Sequence, residues 1–352
     1  MSMSEKILMK GNEVLGEAAI IAGCRYYFGY PITPQNEVPA YMSRRLPQVE
    51  GTFLQAESEL AAINMVFGAS AAGARVMTSS SSPGISLKQE GISYLSGAQL
   101  PAVVVNMMRG GPGLGNIAGA QGDYFQATRG GGNGDYRTVA LGPATVQELA
   151  DLTIKAFDIA DKYRVVVMIM GDGFLGQMAE GVALPEPTNL KFEKPWALTG
   201  AKDRKQNIIA SLRLNPEDAL EKLNDELQAT YKEITENETM SESYMTDDAE
   251  YLLVAYGTSS RICRSALRVL RNEGVKVGLF RPITLWPFPE KELLKAADGV
   301  KKVLTVEMSE GQMLEDVKLT CNGTKDIDFY GRTAGMLPDI DEIVRRVKSY
   351  GK

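Results

Sequence analysis

Val14, Ala18, Ile21 and Ala22 recur at helical spacing and predict a helix over residues 12–28. Ala102 to Met107 is an unbroken apolar run behind Pro101, as a strand buried on both faces requires. Thr145-Val146-Gln147-Glu148 is a capping box that opens a helix to about Tyr163, and Val165 to Met170 follows as a second buried strand. A shorter strand, Arg75 to Met77, leads into the hydroxyl-rich turn Thr78-Ser79-Ser80-Ser81-Ser82-Pro83-Gly84, after which another helix is expected. Strand and helix alternate over residues 1–175, which predicts an α/β unit with a parallel sheet wrapped by helices.

From 176 to 248 the pattern changes. Leu184-Pro185-Glu186-Pro187 interrupts any element, and the later part is heavily charged. Asn215 as N-cap and Pro216 at the first helical position predict a long helix whose Leu220, Leu223, Leu227, Tyr231 and Ile234 form one apolar stripe. That stripe reads as a helix lying on the body of the protein. A second α/β unit follows over 249–352: strand Leu252 to Tyr256, turn Gly257-Thr258-Ser259-Ser260, helix 261–273, and strands Val277 to Phe280, Val303 to Glu307 and Ile327 to Tyr330. Two α/β domains joined by a linker are expected.

A chain of 352 residues, 44% hydrophobic, has the length for two or three domains. Its net charge of -6 provides no basic face, so neither nucleic acid nor an acidic membrane surface is expected as a partner. Cys24, Cys263 and Cys321 are scattered and odd in number, which fits reduced thiols in a cytoplasmic protein and cannot furnish a four-cysteine iron-sulfur site. Neither an apolar leader nor a run of roughly 18 apolar residues is visible. The count that excludes most is histidine, of which there is none. Ser-His-Asp and Cys-His relays are ruled out, and acid-base work falls to carboxylates, tyrosine, lysine or a cofactor.

Candidate chemistry concentrates where strands hand over to loops. Glu59 opens a helix rich in small residues (Ala61, Ala62, Gly68, Ala69, Ala71, Ala72, Gly73), which lets a backbone or a flat ligand approach closely. A carboxylate at such a crowded, dry place suits proton sharing, although a first-turn glutamate also complements the helix dipole, and Glu57 is a nearby competitor. Arg109 ends the buried strand before Gly110-Gly111-Pro112-Gly113-Leu114-Gly115, which is expected to expose a guanidinium fork suited to a carboxylate or phosphate, with a structural ion pair as the alternative. Thr33, between Pro31 and Pro34, presents a hydroxyl from a stiff turn. The serine run offers either an anion site or ordinary capping. Gly130-Gly131-Gly132-Asn133-Gly134-Asp135-Tyr136 reads as a flexible loop and does not fit G-x-G-x-x-G.

These segments resemble the alpha subunits of 2-oxoacid:ferredoxin oxidoreductases, thiamine diphosphate enzymes, over nearly the whole chain. Lys10-Gly11-Asn12-Glu13, Tyr30-Pro31-Ile32-Thr33-Pro34-Gln35, Gln55-Ala56-Glu57-Ser58-Glu59 and Ser79-Ser80-Ser81-Ser82-Pro83-Gly84-Ile85-Ser86-Leu87-Lys88-Gln89-Glu90-Gly91 carry the likeness, nearest to the branched-chain type that uses 3-methyl-2-oxobutanoate. The resemblance implies a pyrimidine-type domain of thiamine enzymes followed by a transketolase C-terminal-like α/β domain. The latter is matched by Arg281-Pro282-Ile283-Thr284-Leu285-Trp286-Pro287 and Val306-Glu307-Met308-Ser309-Glu310-Gly311-Gln312.

It further implies that Glu59 bonds the pyrimidine of thiamine diphosphate, so that the cofactor acts as its own base. Arg109 would hold the substrate carboxylate with Thr33 near the substrate oxygens, and Pro31, Thr33 and Ser82 would line the cofactor. A beta subunit would hold the diphosphate and Mg2+. Gamma and ferredoxin-like delta subunits would complete the complex, iron-sulfur clusters would lie in the partner subunits, and coenzyme A and ferredoxin would be the remaining reactants. Gly171-Asp172-Gly173 resembles the start of a thiamine diphosphate and metal motif but lacks its Asn-Asn doublet, so no metal is expected in this chain. Asn133 stands where relatives commonly have histidine.

Against this stand a self-contained nucleotide- or NAD-dependent enzyme, disfavoured by the lack of a strand-linked G-x-G-x-x-G or Walker loop, and a noncatalytic scaffold subunit. Pyruvate and 2-oxoglutarate are the alternative substrates.

Overall fold

The computed structural model describes residues 6–186 and 192–351. In chain order the first half comprises β1 (Ile7–Lys10), α1 (Gly11–Ile21), β2 (Tyr26–Gly29), α2 (Glu37–Arg45), β3 (Thr52–Gln55), α3 (Glu59–Ala71), β4 (Val76–Ser80), α4 (Ser82–Gly97), β5 (Ala102–Met108), α5 (Tyr124–Thr128), β6 (Val139–Leu141), α6 (Val146–Tyr163), β7 (Val166–Asp172), α7 (Gly173–Gln177) and β8 (Ala179–Val182). The second half continues with α8 (Ala219–Glu238), β9 (Ser241–Tyr244), β10 (Tyr251–Val254), α9 (Gly257–Asn272), β11 (Val277–Pro282), β12 (Thr284–Trp286), α10 (Glu290–Ala296), β13 (Lys302–Glu307), α11 (Gln312–Cys321), β14 (Asp326–Gly331) and α12 (Ile340–Ser349).

The larger sheet has the order β12-β6-β7-β5-β4-β2-β3, parallel throughout except where β12 joins antiparallel to β6. Its central strands β4, β5 and β7 are buried along their whole length, as the continuous apolar runs require of a sheet covered on both faces. The second sheet has the order β14-β13-β10-β11-β9, with β9 antiparallel at its edge, and β1 pairs antiparallel with β8 in a two-stranded ribbon. The α/β reading thus holds, with mainly parallel sheets.

The helix expected over 12–28 is shorter. It ends at Ile21, Gly23 takes a left-handed conformation (φ 84°), and Tyr26–Gly29 becomes β2. Apolar aromatics satisfied both periodicities there, and the chain reversal at Gly23 decided between them. The long helix opens after Asp218 rather than Asn215, and Leu220 is exposed while Leu223, Leu227, Tyr231 and Ile234 are buried. Gly257-Thr258-Ser259-Ser260 is the first turn of α9, not a separate turn. Ser79 and Ser80 extend the strand expected to stop at Met77. Pro187 lies outside the described residues.

The capping box forms as expected: Thr145 Oγ1 accepts from Glu148 N at 3.1 Å. Glu148 also takes a bidentate pair from Arg281, at 2.6 and 2.8 Å, and so ties the first sheet's helix to β11 of the second. Gln121 adds a further tie, donating from Nε2 to the Tyr256 carbonyl (2.9 Å) while its Oε1 accepts from Ser259 Oγ (2.7 Å) and Met308 N (2.9 Å). The three cysteines are buried in three different apolar clusters. No helix among the described residues is long and apolar enough to cross a membrane.

Candidate active site

The tips of β3, β2, β4 and β5 are adjacent in the sheet, and each carries one of the sequence segments singled out above: Glu59 after β3, Thr33 after β2, Ser82 after β4 and Arg109 after β5. Consecutive strands leave β2 in opposite directions, to β3 on one side and β4 on the other, and open α/β sheets bind ligands at the carboxyl ends of strands at such reversals.

Glu59 is the first residue of α3, behind the N-cap Ser58, whose Oγ accepts from Ala61 N at 3.1 Å. Its side chain is not the solvated first-turn carboxylate of a dipole effect, because the residue is only 5% exposed. Oε1 accepts from Ser80 Oγ at 3.4 Å, while Oε2 has no hydrogen-bond partner among the described residues. The approach is possible because Gly84 of α4 faces it. A Cβ at Gly84 would lie 2.0 Å from Ser80 Oγ and 2.4 Å from Glu59 Oε1. Glu57, the competitor, has an exposed side chain.

Arg109 differs from the expectation of an exposed fork. It is 6% exposed, with Nη1 donating to the Thr33 carbonyl and Nη2 to the Leu114 carbonyl, both at 2.9 Å. The loop that follows folds back over the guanidinium, since Asn116 N reaches the Gly110 carbonyl at 2.8 Å. No carboxylate pairs with it among the described residues, which removes the structural ion pair, and Nε is buried without any partner. The result is a cation clamped between two loop carbonyls with donors still unmatched, which suits an incoming anion.

Ser82 was expected to line a cofactor. Its hydroxyl is instead engaged within the chain, donating to Asp123 Oδ2 (2.5 Å) and accepting from Arg109 N (3.0 Å). Asn106 completes the cluster through bonds to Asp123 Oδ2 (2.8 Å) and from Ser82 N (3.1 Å). Burial raises the Asp123 carboxyl above its ordinary range, against the lowering effect of the Ser82 and Asn106 donors. Neither Asn106 nor Asp123 stands out as a site residue in the sequence, because only the fold brings β5 and the loop before α5 together at Ser82. Pro31 and Thr33 are exposed on the rim, with Thr33 Oγ1 accepting from Asn36 Nδ2 at 3.3 Å.

The loop read as flexible lies on α4: Asn133 Oδ1 accepts from Ser93 Oγ (3.3 Å), and Gly132 N donates to Tyr136 Oη (2.9 Å). Asp172 is engaged as a cap and crosslink. Its Oδ1 accepts from Phe174 N and Leu175 N, and its Oδ2 from Thr258 Oγ1 at 2.6 Å.

Residues 17–249 match the family model described as pyruvate flavodoxin/ferredoxin oxidoreductase, thiamine diphosphate-binding, and residues 249–343 match pyruvate:ferredoxin oxidoreductase core domain II. The ketoisovalerate oxidoreductase subunit VorB of Methanothermobacter thermautotrophicus is 50% identical over 342 residues, 97% of this chain and 97% of that protein. Among solved structures, the 2-oxoglutarate:ferredoxin oxidoreductase from Magnetococcus marinus with 2-oxoglutarate, coenzyme A and succinyl-CoA bound aligns with a TM-score of 0.90 and 26% identity, over 99% of this chain and 66% of that one. A split-gene transketolase shares the fold alone, with a TM-score of 0.61 and 13% identity over 97% of each chain. A family model matched over residues 17–249 and a relative 50% identical along 97% of both chains establish that the chain belongs to the pyruvate flavodoxin/ferredoxin oxidoreductase family of thiamine diphosphate-binding proteins.

Proposed function

We propose that this chain is the catalytic alpha-type subunit of a 2-oxoacid:ferredoxin oxidoreductase that converts 3-methyl-2-oxobutanoate and coenzyme A to acyl-CoA and CO2, reducing ferredoxin. The observation that carries the reading is Glu59, buried at the helix start with one carboxylate oxygen free of partners and a glycine opposite. That donor set fits the pyrimidine edge of thiamine diphosphate, which needs one carboxylate in a confined, mostly dry place. The cofactor supplies the carbon nucleophile and the electron sink for decarboxylation.

Within that reaction Glu59 Oε2 would hold a proton against the pyrimidine ring nitrogen, while Ser80 keeps Oε1 turned inward. Arg109 neutralises and orients the 2-oxo acid carboxylate, with Thr33 beside the substrate oxygens and Pro31 on the cofactor side of the rim. Ser82 acts behind Arg109 by fixing its main chain. We assign the diphosphate and Mg2+ to a beta subunit and the iron-sulfur clusters to partner subunits, among which gamma and ferredoxin-like delta subunits are expected, with the complex working in the cytoplasm. Support for the branched-chain substrate comes from the 50% identical ketoisovalerate relative.

The test is anaerobic, coenzyme A-dependent viologen reduction by the complex that co-purifies with this chain, on a panel of 2-oxo acids. Turnover led by 3-methyl-2-oxobutanoate is expected. A preference for pyruvate or 2-oxoglutarate overturns only the substrate assignment, whereas no turnover from an intact, cofactor-loaded complex overturns the reaction and leaves a scaffold subunit.

Gly84→Ala tests the geometry at Glu59. Alanine favours a helix by about 1 kcal/mol over glycine, yet here its methyl would collide with Ser80 and the Glu59 carboxylate, and overpacking costs about 1–3 kcal/mol. Turnover is expected to fall at least ~10-fold as Glu59 is displaced. Steady-state kinetics on the assembled complex check it, and wild-type turnover would show that Glu59 need not sit where it does.

A further inference from the structure

Lys88 of α4 has no exposed surface. A buried cation normally finds a carboxylate, as Arg281 does between Glu148 and Glu242, but Lys88 is in no salt bridge among the described residues. Its Nζ donates to Thr78 Oγ1 at 3.0 Å and to the main-chain carbonyl of Glu59 at 3.4 Å. Burial pulls its pKa down to about 8, and the charge of Glu59 is what opposes the fall.

The placement is built by three elements. Gly84 and Gly91 bring α4 against α3: a Cβ at Gly84 would strike Glu59, and one at Gly91 would lie 2.5 Å from Ile63 Cγ2. Lys88 comes one turn after Gly84 on the same helix, and therefore on the same face. Thr78 and Ser80 alternate along β4 toward that contact, one bonding Lys88 and the other Glu59 Oε1. Glu59 is thus held at its carbonyl by Lys88 and at its carboxylate by Ser80. An unpaired buried ammonium weakens a fold, so its presence directly behind the candidate catalytic carboxylate needs another explanation.

We propose that Lys88 is a positioning residue for the reaction, anchoring the first turn of α3 through the Glu59 carbonyl and placing a positive charge behind Glu59 that orients its side chain. This rests on the assignment of Glu59 given above. Held in this way, Glu59 would meet the cofactor's pyrimidine nitrogen in one orientation, and no bond to Lys88 is made or broken.

The experiment uses Lys88→Met in the assembled complex, with and without Glu59→Gln. Expected are a kcat reduced about 10-fold, a several-fold weaker apparent Kd for thiamine diphosphate in titrations of cofactor-stripped complex, and a Tm unchanged or raised by removal of a buried charge. In the Glu59→Gln background the same substitution should leave the cofactor Kd unchanged, because its effect passes through the carboxylate. Lys88→Gln, which keeps donors but not charge, should reproduce the loss.

Equal effects on Kd in both backgrounds, a Lys88→Gln complex with wild-type kcat and Kd, or a Tm loss that alone accounts for the activity would each overturn the proposal. Wild-type turnover and Kd in Glu59→Gln alone would instead overturn the assignment of Glu59, and the role of Lys88 with it.

Discussion

Glu59→Gln is expected to lower turnover of 2-oxo acids by about 10³-fold, within the range of about 10²–10⁴ that a positioned acid-base group contributes, while the complex still assembles. Glutamine matches glutamate in shape and can still accept from Ser80 Oγ and face Gly84, so packing around α3 changes little. What is lost is a site that can take up and return a proton. The stability effect is small, because glutamine fills the same volume and keeps the Ser80 partner. Turnover and Tm measured on the same purified complex separate the two effects. Near-wild-type turnover would make this chain a scaffold.

The second large effect is expected at Arg109. Arg109→Met, similar in reach but uncharged, should lower kcat/KM for the 2-oxo acid by at least ~30-fold, since losing one member of a buried charge pair costs about 2–5 kcal/mol. Because Nη1 and Nη2 bridge the Thr33 and Leu114 carbonyls, the substitution also releases the β2 and β5 loops from each other. Arg109→Lys is not expected to rescue, because a single ammonium cannot span both carbonyls and still offer donors to a ligand. Separate KM values for 2-oxo acid and coenzyme A check the assignment: the first should change and the second should not. A uniform loss in both would mean that Arg109 only holds the loops together.

Much of the site was legible because its segments are continuous in sequence and sit at strand ends. Glu59, Arg109, Thr33 and Ser82 each follow an apolar run or precede a helix, and the parallel sheet then collects those ends on one edge. The state of each side chain was not legible. Nothing local to Arg109 announces that carbonyls five residues ahead and seventy-six behind will clamp it, and the hydroxyl of Ser82 is claimed by Asp123 from a separate loop. Lys88 stands in a segment that the sequence marks only by its family resemblance, and its burial follows only from the crossing of α3 and α4. The boundary at Gly23 and the late start of α8 show the same limit, since apolar spacing continues past the point where the backbone turns.

The antiparallel strand β12 has a consequence for how the molecule comes into being. The free edge of β6 is covered by Thr284–Trp286, more than a hundred residues later in the chain. On the ribosome the first sheet therefore waits, with β6 unprotected, until the second half has been synthesised, and an exposed strand edge invites pairing with other chains. Translation pausing before β12 has left the ribosome would lengthen that vulnerable interval.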